Sequence, residues 1–551
     1  MHWKKLGVSA VAVLTAAAVT TACNANSRAA TDTHGRVTAL NLGSFGGGTN
    51  PQKNFNPYSP NALSFGYTYE PLYLVSQYNC AQTPWLATGY QWSGSKKLTF
   101  TIRSGVKWSD GKPFTAADVA FTFDLFKKYP AIDTNGIWRT LSSVTTAGSD
   151  KVTFTFKVAS TPSFTPIAQT LIVPQHVWSS VGDPTKYTNA NPVGTGPYNV
   201  KSFNGQQLVL QRNPKYWQAS KVKVDQLIFH SAGGGSEVDK LRLARGEYDT
   251  NAMFVQDIQK TYVAKDPKHN HYWFPPGGVI SLFMNLTEKP FSDVAFRKAL
   301  TYAIDREQIA NKAEFGYVKT ASQTGLVLPR QQQWLASGIA NDGNIGYNQA
   351  KADAMLTAAG YKKDSGGHRL GKNGKPLSMT FKVEAGYLDW IQAAQVIQTN
   401  LKALGIKVGL QTIQPDTLDN EKKLGNFDLA FGVHGGTCNM FSNYQQPLAS
   451  DQTAPIGKPA VSNYVRWKNA NTDQLLTELQ QATAQKQQQQ LVGQLEKTMM
   501  NQVPMIPLWY GAVWFEYSTK KAVGWPTAQH PYANPGDNLL IITHLKPSST
   551  S

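Results

Sequence analysis

Cysteine is scarce in this chain, with Cys23, Cys80 and Cys438 the only three in 551 residues. So few exclude a scaffold built from disulfides, and no Cys/His cluster has zinc-ligand spacing. The histidines are dispersed, with His269 and His271 the only close pair. Acidic residues are also few, 35 Asp plus Glu against 53 Lys plus Arg, for a formal net charge of +18. The cations are scattered, however, with no run longer than Lys-Lys and no arginine-rich stripe. That pattern argues against nucleic-acid binding and for a solvated surface drawn to anionic lipid or cell-wall polymer. No GxSxG elbow, HExxH metal motif or GxxxxGK[ST] phosphate loop occurs. No enzyme, cofactor or resident metal is expected, although these motif absences by themselves leave a glycosidase-type carboxylate pair open.

Long apolar runs are missing too, with one exception. After Met1, His2, Trp3, Lys4 and Lys5 comes LGVSAVAVLTAAAVTTA, which ends directly on Cys23. A basic start, a short apolar stretch and a small residue at the cut form a signal peptide over 1–22. The run falls short of the roughly 20 strongly apolar residues of a membrane span. Ala22-Cys23 resembles the bacterial lipobox, with Thr20 where Leu or Val is usual. Cys23 is the expected lipidation site, and each buried lipid methylene contributes about 0.8 kcal/mol to membrane anchoring. An ordinary secretory signal with a chance cysteine would export the same product. The small, polar stretch 23–36 reads as a flexible tether, and the fold should begin near Val37.

A chain of this length exceeds one ordinary core and predicts two or three domains. The first half is strand-rich: VTALNLG, KLTFTIRSGVKW, KVTFTFKV, QQLVLQR and VKVDQLIFH alternate apolar and polar residues between Gly, Pro, Asn and Asp turns. From Phe291 onward helix alternates with strand. Ser292 is placed to cap a helix carrying Ala295, Ala299, Tyr302 and Ala303 on one face, and Asp305 with Gln308 marks a second start. KPLSMTFKVE, a helix over 391–404, Gly405 as its stop and IKVGLQTI form a βαβ unit. FDLAFGVHGG adds a short apolar strand running into glycines. LWYGAVWFEYS supplies a strand that can return to the first lobe, and an interrupted lobe implies a hinge.

KLTFTIRSGVKWSDGKPFTAADVAFTFDLF, VGTGPYNV, RNPKYW, MNLTEKPFSDVAFRKALTYAIDREQI and ADAMLTAAGYKKD resemble, in order, landmarks of the family-5 extracytoplasmic solute-binding proteins of ABC importers. The resemblance implies an α/β, two-lobed periplasmic-binding-protein-like fold of type II, in the large family-5 form, closing on its solute by hinge motion. It divides the chain into lobe I over 37–279, with an extra subdomain at about 60–190, lobe II over 280–502, and a return to lobe I over 503–546. The implied partners are a small oligomeric solute and an ABC permease, at the extracytoplasmic face of the bacterial membrane. A monomer is expected. An oxidising compartment permits a Cys80–Cys438 disulfide, but across a cleft a bridge would resist opening. Two unpaired, sheltered thiols are therefore expected.

Peptide binders of the family carry an acid for the peptide ammonium just after the strand matching FDLAFGVHGG. Here HGGTCNMFSNYQQPL has no acid between His434 and Leu448. A buried ammonium lacking a carboxylate costs several kcal/mol, so a free peptide N-terminus fits poorly unless an acid arrives from elsewhere. The chain resembles instead the cellobiose- and oligosaccharide-binding branch, most specifically in VPMIPLWYGAVWFEYSTKKAVGWPTAQHPY. That resemblance implies Trp390 and Trp509 as stacking platforms for sugar rings, Asp389, His434 and Asn439 as hydroxyl partners, and Tyr510 as an amphipathic wall. From the residues alone, Asp389 is equally a helix N-terminal acid favoured by the dipole, and His434 equally a histidine satisfied by neighbouring backbone.

Overall fold

The computed structural model describes residues 35–43, 51–59, 62–63, 66–231 and 236–549. The expected signal peptide, Cys23 and the tether as far as residue 34 lie outside the described residues. Among the described residues no helix is long and apolar enough to cross a membrane.

The strand-rich first half folds as its alternation predicts. Lys97–Ile102 and Lys151–Phe156 each bury every second residue, and they pair antiparallel at the centre of a four-stranded sheet with Ala87–Ser93 and Leu141–Ala147 on the edges. The helix Ala116–Lys128 covers this sheet, and its start is fixed by the Asp118 carboxylate accepting the Thr115 amide at 2.9 Å. Asp110-Gly111 forms the expected turn, closed by the Gly111 amide donating to the Trp108 carbonyl at 2.8 Å.

A seven-stranded sheet forms the body of the first lobe. Its order is Asn270–Tyr272, Glu516–Ser518, Thr250–Asn251, Val37–Leu42, Val224–His230, Gln207–Arg212 and Tyr198–Phe203. One apolar core joins it to the four-stranded sheet, with Leu227, Phe100 and Trp178 buried in common. Gly194 and Gly196 run so close to the Thr68 and Tyr67 carbonyls that a Cβ at either position would collide with backbone.

The second lobe is built on a five-stranded sheet ordered Lys407–Ile413, Ser378–Glu384, Leu429–His434, Pro276–Met284 and Ile506–Ala512. The βαβ unit is present: Ser378–Glu384 and Lys407–Ile413 are parallel, joined by the helix Leu388–Ala403, and Gly405 at φ +81° follows its end. One helix start differs from expectation. Asp293, not Ser292, caps Val294–Ala303 and accepts the Ala295 amide at 2.9 Å. The Ser292 amide is held in the preceding turn by the Glu288 carbonyl. Asp305 caps the next turn as expected, accepting the Gln308 amide at 2.8 Å.

Candidate ligand-binding cavity between the lobes

Two antiparallel chain segments cross side by side from one sheet to the other. Asn270–Tyr272 and Glu516–Ser518 pair in the first lobe, and Pro276–Met284 and Ile506–Ala512 pair in the second. Between them the Trp273 amide donates to the Phe515 carbonyl and the Val513 amide to the Pro275 carbonyl, both at 2.9 Å. A hinge motion of one sheet relative to the other would bend this two-stranded ribbon.

The register of the second sheet decides which residues reach the cleft. Ile280 lies opposite both Val433 and Trp509, whereas Val279 lies opposite both His434 and Tyr510. Paired residues share a face and neighbours along a strand alternate, so these are two rows on opposite faces. The first row borders a cavity of about 480 Å³ between the lobes, within the range of small-ligand sites. The first lobe contributes Lys240 and Phe254, the ribbon Trp514, and the second lobe Tyr387 and Trp390.

Aromatic rings dominate this wall. Trp514 packs edge-on against Phe254 at 5.4 Å and Phe274 at 4.8 Å between centroids. Trp390 meets Tyr387 and Phe431 edge-on, each at 5.4 Å, and both Trp390 and Trp514 keep part of their surface open. Trp509 borders the cavity but is 1 % exposed, most of its ring belonging to the second-lobe core.

Two buried carboxyls complete the lining. Asp389 lies in the first turn of Leu388–Ala403, close to the backbone amides of that helix start. Burial raises its pKa, an effect moderated by those amides and by the Lys240 charge. Glu314 follows the short turn Ile309–Ala313 and is 1 % exposed. Burial, reinforced by the Asp389 charge, pushes its carboxyl well above the usual range.

The structure thus gathers Trp390, Trp509 and Asp389 at one cavity and places His434, Asn439 and Tyr510 elsewhere. Near-neutral His434 is sealed under the sheet with its Nε2 2.8 Å from Ser281 Oγ, and burial pushes its pKa down to about 4. The Tyr510 hydroxyl accepts the Ser322 amide at 3.2 Å. Asn439 caps Met440–Leu448 and donates from Nδ2 to the Pro162 carbonyl at 2.8 Å, so its amide joins the lobes outside the cavity. Glu314, Phe254 and Tyr387 join the lining without a local signal in the sequence. Glu314 lies in a stretch whose helical pattern accounts for its neighbours, and nothing local marks it as buried.

The expectation of unpaired thiols is corrected. Cys80 and Cys438 form a disulfide with their Cα atoms 5.4 Å apart, tying the first lobe to the second. Its position explains why the objection fails. Arg330 reaches the carbonyls of Gln77 at 2.7 Å, Gly277 at 3.0 Å and Gly436 at 2.6 Å, so the bridge stands beside the hinge ribbon. A link near a pivot moves little when the lobes rotate.

The family described as "Bacterial extracellular solute-binding proteins, family 5 Middle" matches residues 81–455, more than half of the chain. The chain belongs to this family. It is a family-5 extracytoplasmic solute-binding protein of the ABC-importer type. Oligopeptide-binding protein AppA of Bacillus subtilis is 26% identical over 430 residues, 74% of each chain. Periplasmic oligopeptide-binding protein OppA of Salmonella typhimurium is 25% identical over 517 residues, 86% of this chain and 87% of its own. Among solved structures, a mannohexaose-bound periplasmic oligopeptide-binding protein from Thermotoga maritima superposes with a TM-score of 0.83 at 26% identity, over 93% of this chain and 99% of its own. AppA of Bacillus subtilis in complex with a nonapeptide gives 0.76 at 23% identity, over 93% and 99%, and shares the two-lobed fold. The chain is thus a binding protein for small solutes that works with an ABC transporter.

Proposed function

We propose that this binding protein captures a short oligosaccharide of the cello-oligomer type and hands it to an ABC permease after lobe closure. The observation that carries the reading is the pair of partly open indoles, Trp390 and Trp514, flanking buried carboxyls in one cavity. Sugar rings offer C–H faces to indole, while their hydroxyls need hydrogen-bond partners that a purely apolar wall lacks. The likeness to a mannohexaose-bound protein supports the same ligand class. Lipidation at Cys23 would hold the protein at the outer face of the membrane, and a single copy suffices for capture.

A peptide ligand is the second reading, favoured by the peptide-binding relatives. It also draws on Glu314 and Asp389, which bring to the cavity the acid that the 434–448 segment lacks. A thermal-shift panel of cello-, xylo- and manno-oligosaccharides against mixed short peptides separates the two. A ligand at 100 times its dissociation constant adds about 2.7 kcal/mol to stability. The sugar reading expects shifts with one oligosaccharide series; shifts with peptides alone would replace it.

A further inference from the structure

The strongest unexplained feature of the cavity is Glu314. Its side chain lines the cavity at 1 % exposure, and neither carboxyl oxygen has a hydrogen-bond partner among the described residues. Buried polar atoms are almost always satisfied, and an exception asks for a partner that is absent. Among the described residues no cation is paired with it. Lys240, the cation that faces the same cavity, has its Nζ on Glu237 at 2.8 Å, and among the described residues no ion pair reaches Glu314 or Asp389.

We propose that Glu314 and Asp389 form the polar subsite of the cavity, taking adjacent hydroxyls of the sugar ring that stacks on Trp390. The inference rests on the oligosaccharide reading and assigns its specificity to a residue pair. Two neighbouring carboxyls in a dry site do not both ionise, so the pair retains a proton and presents an O–H donor beside several acceptor oxygens. A neutral diol matches that set, because each hydroxyl both donates and accepts. An ammonium offers donors only and would have to expel the shared proton first.

Asp389 sits in the first turn of its helix, where the neighbouring amides favour its charged form. Glu314 is held only through its backbone, the amide donating to the Ile309 carbonyl at 3.2 Å, so its carboxyl remains available to a ligand. Position and hydrogen-bond capacity both single out Glu314 as the residue that reads the hydroxyl pattern.

The test compares Glu314→Ala with Glu314→Gln by calorimetric titration of the purified full chain with cellotriose and mannotriose. Glutamine keeps a donor and an acceptor in nearly the shape of a protonated carboxyl; alanine removes both. We expect Glu314→Ala to weaken the trisaccharide that binds wild type by tenfold or more, and Glu314→Gln to weaken it no more than threefold. Melting curves without sugar show that each variant is folded, and Glu314→Gln carries the test if the alanine variant is not. Wild type binding a trisaccharide while Glu314→Ala binds it within twofold overturns the subsite and leaves the oligosaccharide reading intact. Wild type binding neither trisaccharide nor any longer cello- or manno-oligomer overturns that reading itself. A short peptide that binds wild type and is lost in both variants assigns the pair to an ammonium and overturns the proposal.

Discussion

Trp509 and Tyr510 are consecutive residues on opposite faces of one sheet: Trp509 borders the aromatic cavity, and the Tyr510 hydroxyl accepts the Ser322 amide at 3.2 Å on the far side. Affinity should follow that division. Trp390→Ala removes a partly open indole that packs on the edge of the second-lobe core and should weaken oligosaccharide binding about tenfold, the effect of about 1.4 kcal/mol. Tyr510→Phe should leave affinity within twofold. Trp509→Ala would open a core cavity at about 3–5 kcal/mol, so Trp509→Phe is the informative change there. Titration of the three variants checks the division, and equal losses in Trp390→Ala and Tyr510→Phe would contradict it.

His434 makes the fold acid-sensitive. Its folded pKa is about 4, the result of burial, against about 6.5 in an unfolded chain. Between those values the unfolded state binds a proton that the folded state refuses. The His434 contribution is therefore complete above about pH 6.5 and is lost as pH falls toward 4. The melting temperature of His434→Gln relative to wild type should improve across that window. A difference that stays constant from pH 7 to pH 4 would contradict the assignment.

The Cys80–Cys438 bridge closes a loop of 358 residues, long enough for a removal cost of about 2–4 kcal/mol. A double Cys80→Ser, Cys438→Ser variant should melt lower by a corresponding amount yet still bind, because the hinge ribbon and Arg330 remain. Peptide mapping without reductant should recover the two cysteines as one linked species. Recovery as free thiols would contradict the bridge.

Lipidation at Cys23 has a simple readout. Cys23→Ser should move the protein from the membrane fraction to the soluble extracytoplasmic fraction, and wild type should incorporate labelled palmitate. An unlabelled, soluble wild type would mean an ordinary secretory signal.

The strands of the first half were legible because their solvent side is polar and their core side apolar, so Lys97–Ile102 and Lys151–Phe156 announce themselves by alternation. The βαβ unit was legible for the same reason, its helix face and its Gly405 stop being local signals. The site was harder. His434 and Tyr510 sit in the same sheet as Trp509, one residue out of step with the cavity row, and only cross-strand register separates the rows. A one-residue shift exchanges faces, and register is a long-range property. Glu314 was illegible because its burial depends on Leu388–Ala403, a helix that starts some 70 residues later in the chain. The disulfide is not legible in the sequence because the closeness of Cys80 to Cys438 is a tertiary fact, the two lying 358 positions apart.

The oligosaccharide reading stands or falls on whether the cavity holds a sugar. Isothermal titration of the purified protein with cellotetraose, with mannotetraose and with a tetrapeptide mixture tests it most directly. We expect saturable one-to-one binding of a tetrasaccharide, with a negative heat-capacity change from the covered aromatic surface, and no heat from the peptides. Saturable binding of the peptides, with neither tetrasaccharide giving heat, would contradict it.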